Sequence, residues 1–149
     1  MGKIVVGVDG SDASKEALRW ALDEAKLRGA TVVAVNAWQM PLLPIDVGPP
    51  PVPALDAVEL LPEVERSAQR LVESVVEEVA GGADVDVEPV AAEGPAVTVL
   101  IEAARDAELL VVGSRGRGGF LGLLLGSVSL QVAQHAPCPV VIDRQATDP

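Results

Sequence analysis

The apolar positions of this chain switch repeatedly between two patterns. Ile4 to Val8 is an unbroken apolar run, as expected of a strand covered on both faces. After Asp9-Gly10-Ser11-Asp12 the spacing becomes helical: Ala17, Leu18, Ala21, Leu22 and Ala25 fall on one side, Ser11 or Asp12 can cap the start, and Gly29 can end it. Thr31 to Ala37, apolar and β-branched, reads as a second strand. A long stripe through Val64, Ala68, Leu71, Val72, Val75, Val76 and Val79 predicts a second helix. Asp56 and Glu59 have the spacing of a capping pair, Pro62 marks the first turn of that helix, and Gly81-Gly82 end it. Val85 to Val90 alternates apolar with polar, which predicts a half-exposed strand, and Pro89 assigns that strand to an edge. Gly94-Pro95 opens a third helix with Val99, Leu100, Ala103 and Ala104 on its apolar side. Leu109 to Val112 is a fourth, buried strand; Val128, Val132 and Ala136 mark a fourth helix; Val140 to Ile142 is a short last strand.

Uniform alternation of strand and helix predicts an α/β fold: an open, doubly wound, five-stranded parallel sheet with helices on both faces and right-handed crossovers. The uninterrupted apolar runs put the first and fourth strands at the centre and Pro89 puts the third at the rim, which gives the order 3-2-1-4-5. Residues 1–149 are expected to form one domain, with a tail over 144–149. The exception to the alternation is 39–55, where Pro41, Pro44, Pro49, Pro50, Pro51 and Pro53 exclude regular helix or interior strand and predict a long loop. Ligands of such sheets sit beyond the carboxyl ends of the strands, where the strand order reverses. Here that point lies between the first and fourth strands, so the loops Asp9-Gly10-Ser11 and Gly113 to Gly116 should share one crevice.

Composition narrows the ligand. A formal net charge of −11 over 149 residues disfavours nucleic acid and anionic membrane as partners. No apolar run approaches the ~18 residues of a membrane span, and the N-terminus enters a strand without the basic and apolar regions of a signal peptide. With Cys138 as the single cysteine, the cytoplasm is the expected compartment.

The densest candidate chemistry follows the fourth strand. Glycines there let backbone N–H groups approach an anion closely, and the helix start beyond them favours negative charge. The Walker pattern is absent, since no Gly-Lys-Ser/Thr occurs, and the dinucleotide pattern fails because Leu121 stands where its third glycine belongs. What is present is Gly113-x-x-Gly116, nine residues, then Gly126-Ser127. Arg115 and Arg117 can offset phosphate charge in an otherwise acidic chain. His135 has no second histidine or nucleophile to work with, so no catalytic residue is assigned and any hydrolysis of a bound nucleotide is expected to be slow.

That spacing resembles the universal stress protein family, in its nucleotide-binding branch. So do Val6-Gly7-Val8-Asp9-Gly10-Ser11, Val111-Val112-Gly113-Ser114-Arg115-Gly116 and Ala136-Pro137-Cys138-Pro139-Val140-Val141. The resemblance implies an ATP-binding stress-response protein. Gly7, Val8, Asp9 and Ser11 would lie at the nucleoside, with Asp9 near the sugar or a nucleotide-bound Mg2+. Ala37 would hold adenine through its backbone, with Val112 and Gly113 against the nucleoside. Gly116, Gly126, Ser127 and Val128 would hold the phosphates, with Ser129 close by. It also implies a homodimer through Val140, Val141 and Ile142. A receptor for cyclic AMP or AMP, and an interaction protein with a vestigial site, are the alternatives left open.

Overall fold

A computed structural model describes residues 2–40, 54–115 and 125–144. Its elements follow in the order β1 (Lys3–Gly7), α1 (Asp12–Arg28), β2 (Thr31–Trp38), α2 (Ala54–Ala80), β3 (Val87–Glu93), α3 (Ala96–Ala103), β4 (Leu109–Gly113), α4 (Ser127–His135) and β5 (Val140–Asp143). The strands form one parallel sheet in the order β3-β2-β1-β4-β5, the order predicted. β1 is central, with Ile4 opposite Val32 on one side and Leu109 on the other.

Alternation along the strands divides the core into two layers. Ile4, Val6, Val32, Ala34, Leu109 and Val111 face Leu18 and Ala21 of α1 and Val72 and Val75 of α2. Val5, Val35, Leu110 and Val112 face Val99, Leu100 and Ala104 of the α3 segment and Val132 of α4. Both faces of the central strands are therefore covered, which is why their sequences are apolar without alternation. Ser11 caps α1 by accepting the Ser14 N–H, and Gly29 closes it by donating to the Ala25 carbonyl. A partly exposed ion pair between Lys15 and Glu78, 3.0 Å apart, ties α1 to α2.

Three boundaries differ from expectation. The second helix starts at Ala54, so Asp56 lies inside it, Pro62 is its ninth residue, and 54–55 are helical where a loop was predicted. A proline there forfeits one helical hydrogen bond and crowds a carbonyl. Pro62 is exposed, so the distortion faces solvent, while the packed stripe through Ala68, Val72 and Val75 holds the rest of the helix to the sheet. The third strand runs over Val87–Glu93 instead of Val85–Val90. Pairing with β2 continues through Ala91, Ala92 and Glu93 up to Trp38, so ladder formation outweighs the weak strand preference of alanine. Its position at the edge is as Pro89 predicted. The rest of the predicted proline-rich loop, 41–53, and the tail beyond residue 144 lie outside the described residues.

Candidate functional site

The carboxyl end of β1 is fixed from two directions. The Val8 N–H donates to the Val35 carbonyl at 2.8 Å. The Val8 carbonyl accepts from Asn36 Nδ2 at 2.7 Å, inside the core. The chain then turns at Asp9-Gly10-Ser11. Asp9 Oδ1 accepts the Ser11 N–H at 2.9 Å and the Ser11 hydroxyl at 2.5 Å. Gly10 takes φ +85°, a conformation that side chains disfavour, and this lets the turn close. Ser14 completes the junction: its hydroxyl donates to the Ser11 carbonyl at 2.9 Å and accepts the Asp9 N–H at 3.3 Å. Asp9 thus does the work of a turn-forming aspartate, and its carboxylate orientation is set by the first turn of α1.

β4 ends against that same turn. A Cβ on Gly113 would lie 3.1 Å from the Ala13 carbonyl oxygen, a backbone atom that cannot swing aside. Any larger residue would have to push the start of α1 away by a few tenths of an ångström. Gly113 and the Asp9 loop are therefore brought together, as the strand order required.

The two halves of the glycine motif are also joined. The Gly126 N–H donates to the Ser114 carbonyl at 2.6 Å. The Ser129 hydroxyl donates to the Gly113 carbonyl at 2.6 Å. The Ser114 N–H donates to the Asp143 carbonyl at 2.9 Å, which anchors the junction to β5. Ser129 is buried, and its hydroxyl binds α4 to the end of β4. Gly126, not Ser127, is the N-cap of α4, and no side-chain hydrogen bond caps that helix start. Ser127, the first helical residue, is exposed. The opening N–H groups of a helix lack partners within it, so α4 places donors unclaimed among the described residues, and the positive end of its dipole, beside the Ser114–Gly126 junction.

Gly7, Ala37 and Val112 lie on the sheet side covered by α3 and α4, as does Val128. Arg115 stands directly beyond the junction, whereas Gly116 and Arg117 lie outside the described residues. Among the described residues no three His, Cys, Asp or Glu side chains are grouped to hold a metal ion. Burial pushes the Cys138 thiol above its ordinary range, which suits a packed side chain and not a reactive one. His135 is exposed in the last turn of α4.

Asn36 and Trp38 were missed by sequence reasoning. Asn36 interrupts an apolar strand, and a polar residue there is a signal for a buried hydrogen bond. Trp38 ends β2 with its indole N–H buried and without a partner among the described residues.

Residues 1–144 match the profile of the Universal stress protein family. A universal stress protein of Mycolicibacterium smegmatis is 41% identical over 147 residues, covering 95% of this chain and 45% of that one. One from Mycobacterium tuberculosis is 39% identical over 149 residues, covering 99% and 50%. The chain thus spans about half the length of these relatives. Universal stress protein UspA from Lactobacillus plantarum superposes with a TM-score of 0.77 at 25% identity over 96% of this chain and 97% of its own. A universal stress protein solved in complex with cAMP gives 0.67 at 26% identity over 97% and 98%. One from Archaeoglobus fulgidus in complex with dAMP gives 0.55 at 25% identity over 95% and 97%. The fold is that of the α/β universal stress proteins. The chain belongs to the universal stress protein family.

Proposed function

We propose that this chain is a single nucleotide-binding domain that binds an adenine nucleotide, ATP in particular, and serves as a stress-response regulator rather than an enzyme. The observation that carries the reading is the Ser114–Gly126 junction, which sets the uncapped start of α4 beside Gly113 and the Asp9 turn. Anionic groups fit there: unclaimed N–H donors and the helix dipole favour them, with Arg115 adding charge. Ser127 and Val128 supply the donors, Gly126 keeps side-chain bulk away, and Gly116 and Arg117 complete the same sequence motif. Gly7, Ala37 and Val112 share one face of the sheet and would form the small, apolar ground for a nucleoside, with Val8 next to Gly7 in the chain and its side chain in the other layer. Complexes of family structures with cAMP and dAMP support the adenine class. The nine-residue spacing supports the longer phosphate chain. Bound ATP supplies a phosphoanhydride. A Mg2+ ion would come with it, and Asp9 is the residue that would meet it. The chain lacks Gly-Lys-Ser/Thr, so hydrolysis is slow at most.

β5 is the second edge of the sheet, half-buried along Val140 to Ile142. Edges of this kind are usually paired or covered, so a homodimer through β5 belongs to the same reading. No described helix is long and apolar enough to cross a membrane, and a cytoplasmic location completes the proposal. Native mass spectrometry of the purified chain, followed by competition among ATP, AMP and cyclic AMP, tests it. A dimer retaining ATP is expected. Preference for AMP or cyclic AMP would reassign the ligand, and failure to bind any of them would mark the site as vestigial.

A further inference from the structure

The outer edge of β3 is closed by a side chain from α2. The Val32 N–H donates to the Asp86 carbonyl at 2.9 Å and the Gly94 N–H to the Trp38 carbonyl at 2.8 Å. The even-numbered residues here therefore turn their backbone groups toward β2, and the odd-numbered ones alternate away from the sheet. Outward-turned groups of an edge strand are a template on which another strand can pair. At the centre of β3 those groups belong to Pro89 and Ala91. Pro89 has no N–H to present. Its carbonyl accepts from Gln69 Nε2 at 3.2 Å, and the Ala91 N–H donates to Gln69 Oε1 at 3.0 Å. One turn further along α2, Glu73 Oε1 accepts from the same Gln69 Nε2 at 2.9 Å. The Gln69 amide thus presents to β3 the donor and acceptor that one residue of a sixth strand would present. Glu73 fixes its orientation, because the flipped amide would set its oxygen against both the Glu73 carboxylate and the Pro89 carbonyl. Among the described residues no side-chain hydrogen bond covers β5 in this way.

We propose that Gln69, oriented by Glu73, is an edge lock that makes self-association of this chain one-sided: a second copy can add at β5 but not at β3. A molecule with both edges open joins its neighbours in a contact that need not close, and so grows into chains. Pro89 and Gln69 act together, the one by lacking a donor and the other by occupying its neighbours. The inference is independent of any nucleotide.

The test uses the full chain and three variants. Gln69→Met keeps the length and flexibility of the side chain without its hydrogen bonds. Pro89→Val restores the outward N–H. The third variant combines them. Amide exchange at Ala91 is followed by NMR, and size by sedimentation velocity over a concentration series. Ala91 is expected to exchange about tenfold faster in Gln69→Met, the factor for losing one hydrogen bond of ordinary strength. Wild type and Pro89→Val, both with Gln69 in place, are expected to hold one size at all concentrations. The double variant is expected to grow with concentration. Equal Ala91 exchange in wild type and Gln69→Met would overturn the lock. So would growth of Pro89→Val alone, or a double variant of unchanged size.

Discussion

Asp9 and Ser127 bring two kinds of chemistry to the proposed site. The Asp9 carboxylate accepts twice from Ser11 and so holds the entrance of α1. Ser127 is exposed at the first position of α4 and caps nothing. That difference permits a substitution that separates stability from binding. In Ser127→Asp, a carboxylate at the helix start interacts favourably with the dipole, by about 0.3–1 kcal/mol. The variant is therefore expected to unfold at the same denaturant concentration as wild type or slightly above it. The same carboxylate repels a phosphate approaching those N–H groups. Affinity for ATP, measured by isothermal titration calorimetry, is expected to fall at least about tenfold, ~1.4 kcal/mol. Undiminished affinity would move the phosphates away from α4. Gly113 admits no such separation, because its missing Cβ is already required by the Ala13 backbone. Its substitution would move α1 whether or not a ligand binds.

At the scale of elements, α2 carries the clearest local conflict. Pro62 stands eight residues inside a 27-residue helix and is exposed, so it contributes little packing to offset its cost. An interior helical proline costs about 3 kcal/mol, of which up to ~1 kcal/mol is returned because proline also restricts the unfolded chain. Pro62→Ala is expected to stabilise the protein by about 2–3 kcal/mol, read from urea denaturation with an unchanged slope. The same helix shows what the sequence conveys and what it withholds. Periodicity revealed every helix and strand of the described residues, because burial on a sheet face leaves a fixed spacing of apolar residues. It missed the start of α2 because the preference for proline in a first turn concerns a missing donor, not packing. The glycine motif was legible because its spacing lies along the chain. Asn36 and Gln69 were not read, because their partners, Val8 and the β3 edge, are 28 and about 20 residues away. Gln69 in particular looks like one more polar residue on the outer face of a helix until β3 is placed beside it.

For the whole molecule, a formal net charge of −11 means that carboxylates repel one another more than they are neutralised. Asp143 feels this where β5, β4 and α1 meet. Its carboxyl is held above the ordinary carboxylate range, first by desolvation and then by the nearby Glu16. A carboxyl with a raised folded-state pKa favours the folded state below its unfolded pKa. That contribution is lost as pH rises through the folded value. At neutral pH the charged Asp143 is thus a small cost, and Asp143→Asn should remove it. Thermal unfolding of dilute protein is expected to show the variant about 1–2 °C above wild type at pH 7. The gain should vanish near pH 3, where Asp143 is mostly neutral in both states. Salt separates the two causes. Screening over about 8 Å at physiological ionic strength weakens the repulsion by Glu16 but leaves desolvation in place. Because desolvation is the larger cause, most of the difference at pH 7 should persist in 0.5 M salt, whereas wild type and variant should both become more stable as the general repulsion is screened. A difference abolished by salt would assign the shift to Glu16 instead.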